Sequence, residues 1–328
     1  VTTEARELLL PSRTAVAIGD EILDTVRGLR LIESTKRSVL EALSGSSRVL
    51  PDGKPTACSA ITYLAFESAG GQNPQQVVPN VAAMEMLMAA YDVIDDIQDD
   101  EEPLPEDRHA FGELFETVSI LLLAAHSEIV KASEFGVPMD RVITCLKLFD
   151  QMGIQSWRGQ TLDMRLETQH GVSIKESLQA SQLKSASLVR CAAQMGAALV
   201  TDHPEQIDLY GEYGWHVGIV AQLMNDAAGV WPGGANKSDL RLRKKTLPIA
   251  YALNLPPDTS EHIRTVQDFY DADETSTSRE TDVKQALWSC GAIHYTWMIA
   301  AQEKVKAKRI GHTLAGESFS SWPLARLL

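Results

Sequence analysis

The stretch PNVAAMEMLMAAYDVIDDIQDD, Pro79 to Asp100, decides how the rest of the chain is read. Proline is tolerated in the first turn of a helix, and helical character then runs uninterrupted to about Asp100. The lead-in Met84 to Ala90 is largely apolar. Acids follow at Asp92, Asp95, Asp96, Asp99 and Asp100. On a helix Asp95 and Asp99 are four apart, Asp96 is three from Asp99, and Asp92 lies a turn earlier, so these carboxylates share one side. Like charges so placed repel, and beside an apolar run the repulsion is costly. Hard divalent cations relieve it, and Mg²⁺ prefers carboxylate and phosphate oxygens and often bridges the two. Taken alone, the cluster is equally readable as a solvated acidic helix end; a matching element elsewhere has to decide.

Working outward, helical periodicity dominates. Arg13–Leu43 reads as one or two helices with apolar positions at Ile18, Ile22, Val26, Leu29 and Leu31. Gly45–Lys54 reads as a loop, and Thr56–Ser68 as an Ala-rich helix ended by Gly70-Gly71. Further helices are expected over Ala110–Lys131, Asp140–Glu167, Ile174–Val200, Gln206–Val230, Thr246–Asn254, Ser260–Tyr270 and Val283–Gly311. Trp231–Asp239 reads as a polar loop and Asp271–Glu280 as an exposed, mobile one. No stretch alternates with period two for long enough to demand a sheet. The expected class is all-α, one helical domain over 1–328 with peripheral tails at 1–12 and 312–328.

The chain's 328 residues suffice for a large core. Hydrophobic residues make up 44% and charged ones 23%, as in ordinary globular proteins. Asp plus Glu exceed Lys plus Arg by 44 to 30, a formal charge of -14, which disfavours non-specific nucleic-acid binding. A phosphate ligand stays open, because bound metal ions invert the local field. Cys58, Cys145, Cys191 and Cys290 form no C-x-x-C pair, so they read as reduced, packed thiols. No apolar run approaches ~18 residues, so no integral membrane segment is expected. Nor is a secretory signal evident, and the default location is cytoplasmic.

A second constellation answers the first. In YGEYGWHVGIVAQLMNDAAGV, Tyr210 to Val230, the glycines at 211, 214 and 218 allow close packing or room for a bulky ligand. Asn225 and Asp226 end this helix. Lys237, Arg241, Arg243, Lys244 and Lys245 follow. A divalent ion held at Asp226 with bases around it can grip a diphosphate from a second side.

With both constellations in view, the sequence resembles the polyprenyl (isoprenyl) diphosphate synthase superfamily of class I terpenoid enzymes, over roughly Leu29–Lys308. Gly53-Lys54 matches the family's early Gly-Lys pair, and Glu67, Gly70 and Gly71 the end of the next helix. Asp95, Asp96 and Asp99 match its first aspartate-rich motif. Gly159, Gln160 and Asp163 match its Gly-Gln-x-x-Asp. Lys184 matches the lysine of its Lys-Thr pair, with Ser185 in place of threonine. Gln222, Asn225 and Asp226 fall on the second metal motif, and Asp239-Leu240, Lys244 and Thr246-Leu247-Pro248 on the block after it.

The resemblance implies an isoprenoid synthase-type helical bundle around a deep central cavity, with aspartates on two facing helices holding three Mg²⁺ ions. Those ions and nearby bases would bind the diphosphate of an allylic substrate and promote its departure, leaving an allylic cation in a cavity closed to water. It implies metal ligation by Asp95, Asp96, Asp99, Asn225 and Asp226, and substrate binding by Lys54, Tyr91, Gln160, Lys184, Gln222, Lys237 and Lys244. Members are commonly homodimers. Trp157, Trp215 and Phe149 are candidate ring donors to a cation or plain core aromatics, and His216 is a pocket polar group or a packing histidine.

Departures from the family pattern sharpen the expectation. Ala57 stands where an arginine is usual, and Met88 where a histidine is usual. Glu101-Glu102-Pro103-Leu104-Pro105 stands where two arginines are usual, with no base before Arg108. The second motif keeps Asn225 and Asp226 but lacks its third acid. These losses fall on the side that takes isopentenyl diphosphate. They favour an enzyme that ionises a C15 or C20 prenyl diphosphate and cyclises it without extending it, a terpene synthase. The alternatives are a prenyltransferase to a peptide or small-molecule acceptor, a chain-elongating farnesyl or geranylgeranyl diphosphate synthase, and a noncatalytic synthase-like subunit.

Overall fold

A computed structural model describes residues 10, 12–45, 56–98, 108–231, 239–272 and 279–328. Among them the secondary structure is helical, with no strand. The α-helices are α1 (Ser12–Gly28), α2 (Glu33–Ser44), α3 (Ala57–Ser68), α4 (Val78–Gln98), α5 (Arg108–Lys131), α6 (Met139–Thr168), α7 (Ile174–Ser181), α8 (Ser187–Ala198), α9 (Pro204–Gly229), α10 (Leu247–Leu253), α11 (Glu261–Asp271), α12 (Glu280–Ser289) and α13 (Ala292–Ala315). No helix among the described residues is long and apolar enough to cross a membrane. They group into two compact units, one of residues 1–150, 191–211 and 311–327, the other of 151–190, 212–310 and 328.

The first unit is built around α4. Its residues from Val78 to Ala90 are buried on every side except at Met88, and α1, α2, α3 and α5 pack on it. The stripe Ala15, Ile18, Ile22 and Val26 on α1, and Thr35, Val39 and Leu43 on α2, are the three- and four-residue spacings that bury one helix face. α8 lies against α3 backbone to backbone: a Cβ at Gly196 would come within 2.2 Å of the Thr62 carbonyl oxygen. Two 3-10 segments, Gly316–Ser321 and Pro323–Leu327, follow α13; Trp322 between them and Leu324 in the second are buried.

The second unit has its main core where α9 to α13 meet, in Val230, Leu240, Ile249, Val266, Phe269, Leu287 and Ile293. A smaller cluster of Ala186, Ile219, Leu223, Leu247 and Ala300 adjoins it. At the end of α9 the ring of Trp231 lies 5.0 Å from that of Trp288 and 5.5 Å from that of Trp297, centroid to centroid.

Two expected helices are divided. Ile174–Val200 is interrupted by a π turn at Gln182–Ala186. Val283–Gly311 belongs to two helices, because Gly291 adopts φ +82, a left-handed conformation that ends α12. The expected mobile loop at 271–280 lies largely outside the described residues.

Candidate functional site

α9 turns its apolar residues Ile219, Leu223 and Ala227 into the core, and Val230 just after it is buried too. The four-residue repeat leaves Gln222, Asn225 and Asp226 on the adjoining face. These three line a cleft of ≈ 100 Å³ in the second unit, together with Asp163, Ser181, Lys184, Asp239, Lys244 and Thr246. Gln222 Nε2 donates to Asp226 Oδ1 at 2.7 Å, and Ser181 Oγ to Asp226 Oδ2 at 3.4 Å. Asn225 is exposed.

Lys184 enters the cleft from the π turn, a local widening of the helix that recurs at functional sites. α6 seats that turn. A Cβ at Gly159 would lie 2.2 Å from the Lys184 backbone nitrogen, and Ser156 Oγ donates to the Lys184 carbonyl oxygen at 3.1 Å. Lys184 Nζ reaches back to Asp163 Oδ2 at 3.4 Å. Gln160, on the same stretch of α6, is buried.

The basic run after α9 is split by its own turn. The Arg243 N–H donates to the Leu240 carbonyl oxygen at 3.1 Å and the Lys244 N–H to that of Asp239 at 2.9 Å. This is the paired hydrogen bonding of a Schellman turn, with Arg243 (φ 52) in the position glycine usually takes. Only Lys244 of the described run lines the cleft. Lys245 is buried and donates to the carbonyl oxygens of Leu166, Glu167 and Gln169, closing the C-terminal end of α6. Burial, with the Arg243 charge, lowers its pKa. Arg243 donates to the Tyr270 carbonyl oxygen and lies 5.5 Å over the Tyr270 ring, and Arg241 pairs with Glu280 at 3.5 Å.

Asp226 is 2% exposed, and its pKa is pushed up to about 7, first by burial, then by the charges of Asp239 and Asp163. A carboxylate that holds its proton to neutrality among further carboxylates sits where a cation belongs. The donors are hard oxygens, which suits Mg²⁺. Among the described residues no three His, Cys, Asp or Glu side chains are grouped to hold an ion by themselves, so the oxygens of Asn225 and Asp226 fit Mg²⁺ as part of a set that the oxygens of a bound diphosphate would complete.

The other expected site residues lie elsewhere. Tyr91, Asp95 and Asp96 occupy the last turns of α4 in the first unit, where every residue from 91 to 98 is half-buried. That helix has no basic residue in its last turn, so the acids stand at the negative end of its dipole, a further invitation to cations. Asp99, Lys54 and Lys237 lie outside the described residues. His216 pairs with Glu303, Nδ1 to Oε2 at 2.5 Å, as a packing histidine. Phe149 is buried, edge-on to His126 at 5.1 Å; Trp215 packs on the smaller core cluster; Trp157 is 37% exposed. Asp163, Asp239, Ser181 and Thr246 join the cleft although no helical spacing ties them to Asp226. The only sequence signal of Asp163, Asp239 and Thr246 is membership of the blocks Gly159–Asp163 and Asp239–Pro248, and Ser181 carries none.

Residues 49–288 match the model of the family described as Polyprenyl synthetase. The chain belongs to the polyprenyl synthetase family. Among relatives of this polyprenyl synthetase chain, a (2E,6E)-farnesyl diphosphate synthase of Mycobacterium tuberculosis is 29% identical over 207 residues. That match covers 59% of this chain and 55% of the relative, little more than half its length. A geranylfarnesyl diphosphate synthase of Aeropyrum pernix is 28% identical over 65% of this chain and 71% of its own. Of solved structures, a polyprenyl synthetase from Streptomyces coelicolor A3(2) superposes with TM-score 0.80 at 21% identity, over 98% of each chain. A geranylgeranyl pyrophosphate synthase from Corynebacterium glutamicum, solved with isoprenyl diphosphate and magnesium, superposes with TM-score 0.72 at 19% identity, over 99% of this chain and 97% of its own. Such likenesses show the isoprenoid synthase fold.

The relatives overturn the expectation of a non-elongating terpene synthase, a lyase. They are synthases of longer prenyl diphosphates. The error was to read lost bases at Ala57, Met88, Leu104 and Pro105 as a lost anion site. A diphosphate is held by the summed field of a cationic region and by metal ions, so no single position is obligatory.

Proposed function

We propose that the chain is an Mg²⁺-dependent prenyltransferase that extends an allylic prenyl diphosphate with isopentenyl diphosphate, giving a C15 or C20 prenyl diphosphate. The observation that carries this reading is the match to elongating synthases at 29% and 28% identity, in a chain that keeps a cleft of carboxylates and lysines at its second motif.

On this reading Asp226 and Asn225, and separately Asp95, Asp96 and Asp99, would hold Mg²⁺, three ions in all. Bound Mg²⁺ would supply positive charge to the leaving diphosphate. Lys184 and Lys244 bind diphosphate oxygens as point charges. Ser181 and Gln222 orient the Asp226 carboxylate. The allylic C–O bond breaks with its electron pair on the diphosphate, and a new C–C bond forms to the isopentenyl unit, which then loses a proton. Lys54 and Lys237 are further bases for the two anionic substrates. Tyr91 and Gln160 belong to the substrate-binding set by their place in the family pattern. A homodimer completes the reading, supported by Phe111, Phe115 and Leu123, which stand 48%, 70% and 71% exposed on α5.

The test is incubation with radiolabelled isopentenyl diphosphate, Mg²⁺ and, separately, C5, C10 and C15 allylic diphosphates. Label in a C15 or C20 diphosphate is the expected result. Failure of label to enter a longer diphosphate with any of the three allylic diphosphates overturns the reading.

A further inference from the structure

Arg243 is a costly residue at its position. Its φ of 52 lies in the left-handed region, where a side chain crowds the backbone and glycine is the usual occupant of a Schellman turn. Its Nη1 is buried with no hydrogen-bond partner among the described residues. A solvated surface charge has neither feature, so the reason for arginine lies in what the side chain reaches.

It reaches Tyr270. Nη2 donates to the Tyr270 carbonyl oxygen at 2.5 Å, and the guanidinium carbon lies 5.5 Å from the centroid of the Tyr270 ring. That carbonyl belongs to the last turn of α11, which has no basic residue of its own, so Arg243 brings the cation that the end of the helix dipole favours. The contact is returned, because the Tyr270 hydroxyl donates to the Lys244 carbonyl oxygen at 2.8 Å. Lys245 Nζ lies 5.9 Å from the centroid of the same ring. One tyrosine thus meets three consecutive bases, each in a different way. Its ring is held in the core beside Phe269, edge-on at 5.5 Å. Burial, with the Asp239 charge, pushes its pKa well above 10, so the hydroxyl keeps its proton and remains a donor.

Arg243 and Lys245 commit their side chains to the fold. Lys244 is held through its backbone, its N–H on the Asp239 carbonyl oxygen at 2.9 Å and its own carbonyl oxygen under the Tyr270 hydroxyl, while its side chain lines the cleft. We propose that Tyr270 is a positioning residue for diphosphate binding: its hydroxyl, on the Lys244 carbonyl oxygen, fixes the turn so that Lys244 and neither neighbour faces the cleft. The inference rests on the reading of Lys244 as a diphosphate-binding base. It goes beyond that reading by assigning the residue that aims the lysine, one that lies outside the blocks carrying the family resemblance.

The experiment asks whether Tyr270 acts through Lys244. Binding of inorganic diphosphate to the full chain in Mg²⁺ is measured by isothermal titration calorimetry, with far-UV circular dichroism as the check on folding. Tyr270→Phe keeps the ring, removes the hydroxyl and should weaken binding by about threefold or more, the loss of one hydrogen bond. Lys244→Ala should weaken it by about tenfold. Added to Lys244→Ala, Tyr270→Phe should change nothing further, because no lysine is left to aim. Arg243→Gly is a second route, and it decides should Tyr270→Phe fail to fold. Glycine takes the left-handed turn without strain, but the Tyr270 carbonyl loses its donor. Binding should again weaken, and the loss should again vanish in Lys244→Ala. A general loosening of the fold, or the mere loss of a positive charge, persists in that background. Full affinity in folded Tyr270→Phe, or a loss that persists in Lys244→Ala, overturns the inference alone. Unchanged affinity in Lys244→Ala overturns the reading of Lys244 as a diphosphate-binding base, and this inference with it.

Discussion

The Ser185 hydroxyl donates to Oε1 of Gln222 at 2.6 Å, and so decides which end of that amide faces Asp226. With Oε1 engaged, Nε2 is left to donate to the Asp226 carboxylate at 2.7 Å. Ser185→Ala removes the group that holds this orientation. It should cost about 1 kcal/mol in urea unfolding and several-fold in kcat/KM for elongation. Ser185→Thr, which restores the family's usual residue and keeps the hydroxyl, should preserve both. Equal loss in the two variants would show that side-chain packing, and not the hydroxyl, matters at this position.

Asp226 makes the metal-free protein sensitive to pH. Its folded pKa, about 7, stands above the ordinary carboxylate value of 3.8 because of burial and the charges of Asp239 and Asp163. The folded state therefore binds the extra proton, and the stability this gives is complete below about pH 4 and lost as pH rises towards 7. In EDTA the apparent Tm should fall across that window by several degrees more than in Asp226→Asn, where the group is gone. Saturating Mg²⁺ should flatten the difference and release protons on binding below pH 7. A Tm profile identical in the two proteins in EDTA would contradict the assignment.

Adjacent lysines should behave as different kinds of residue. Lys244→Ala should raise KM for the allylic diphosphate by about tenfold, the loss of one charge-assisted contact, and leave the unfolding midpoint in place. Lys245→Met should do the reverse, because three carbonyl oxygens at the end of α6 lose their donor: about 2–4 kcal/mol of stability, with a smaller effect on KM in whatever fraction remains folded. Paired measurements of urea midpoint and KM separate the two.

Two glycine-to-alanine changes provide a contrast in packing. Gly159→Ala drives a Cβ to 2.2 Å from the backbone nitrogen of Lys184, which cannot yield as a flexible side chain would. Destabilisation of about 1–3 kcal/mol is expected, with loss of elongation activity as the π turn shifts. Gly112→Ala on α5 meets nothing within 4 Å and should be neutral or stabilising by about 0.5–1 kcal/mol. Chemical denaturation of both variants is the check.

The helices were legible because their evidence is local. The stripes on α1 and α2, the Gly70-Gly71 stop after α3 and the carboxylate spacing on α4 are all written within one or two turns of chain. The breaks were less legible. Apolar spacing runs straight through Gly291, and an extra residue in the hydrogen-bonded ring at Gln182–Ala186 leaves no mark on composition. Of the site, Gln222, Asn225 and Asp226 could be read as a set because they share one helix. Lys244 could be told from Lys245 only by its place in the family's block, because the turn that sorts them follows from a left-handed Arg243 where no glycine flags it. The same holds for Asp239, whose approach to Gly229 is a tertiary contact. The loss of elongation was misread for a related reason: positions were counted where a field should have been summed.

The three tryptophans at the end of α9 give the chain an optical voice of its own. Trp231 stands two residues beyond Gly229, where the second motif ends, and its ring lies within 5.5 Å of those of Trp288 and Trp297. Indole transitions this close couple, so the near-ultraviolet dichroism of the protein carries a contribution set by the angles between these rings. A tilt of the end of α9 changes those angles. Events at Asn225 and Asp226 are then readable as a spectral change in unlabelled protein, on the timescale of a stopped-flow mixing experiment and without turnover.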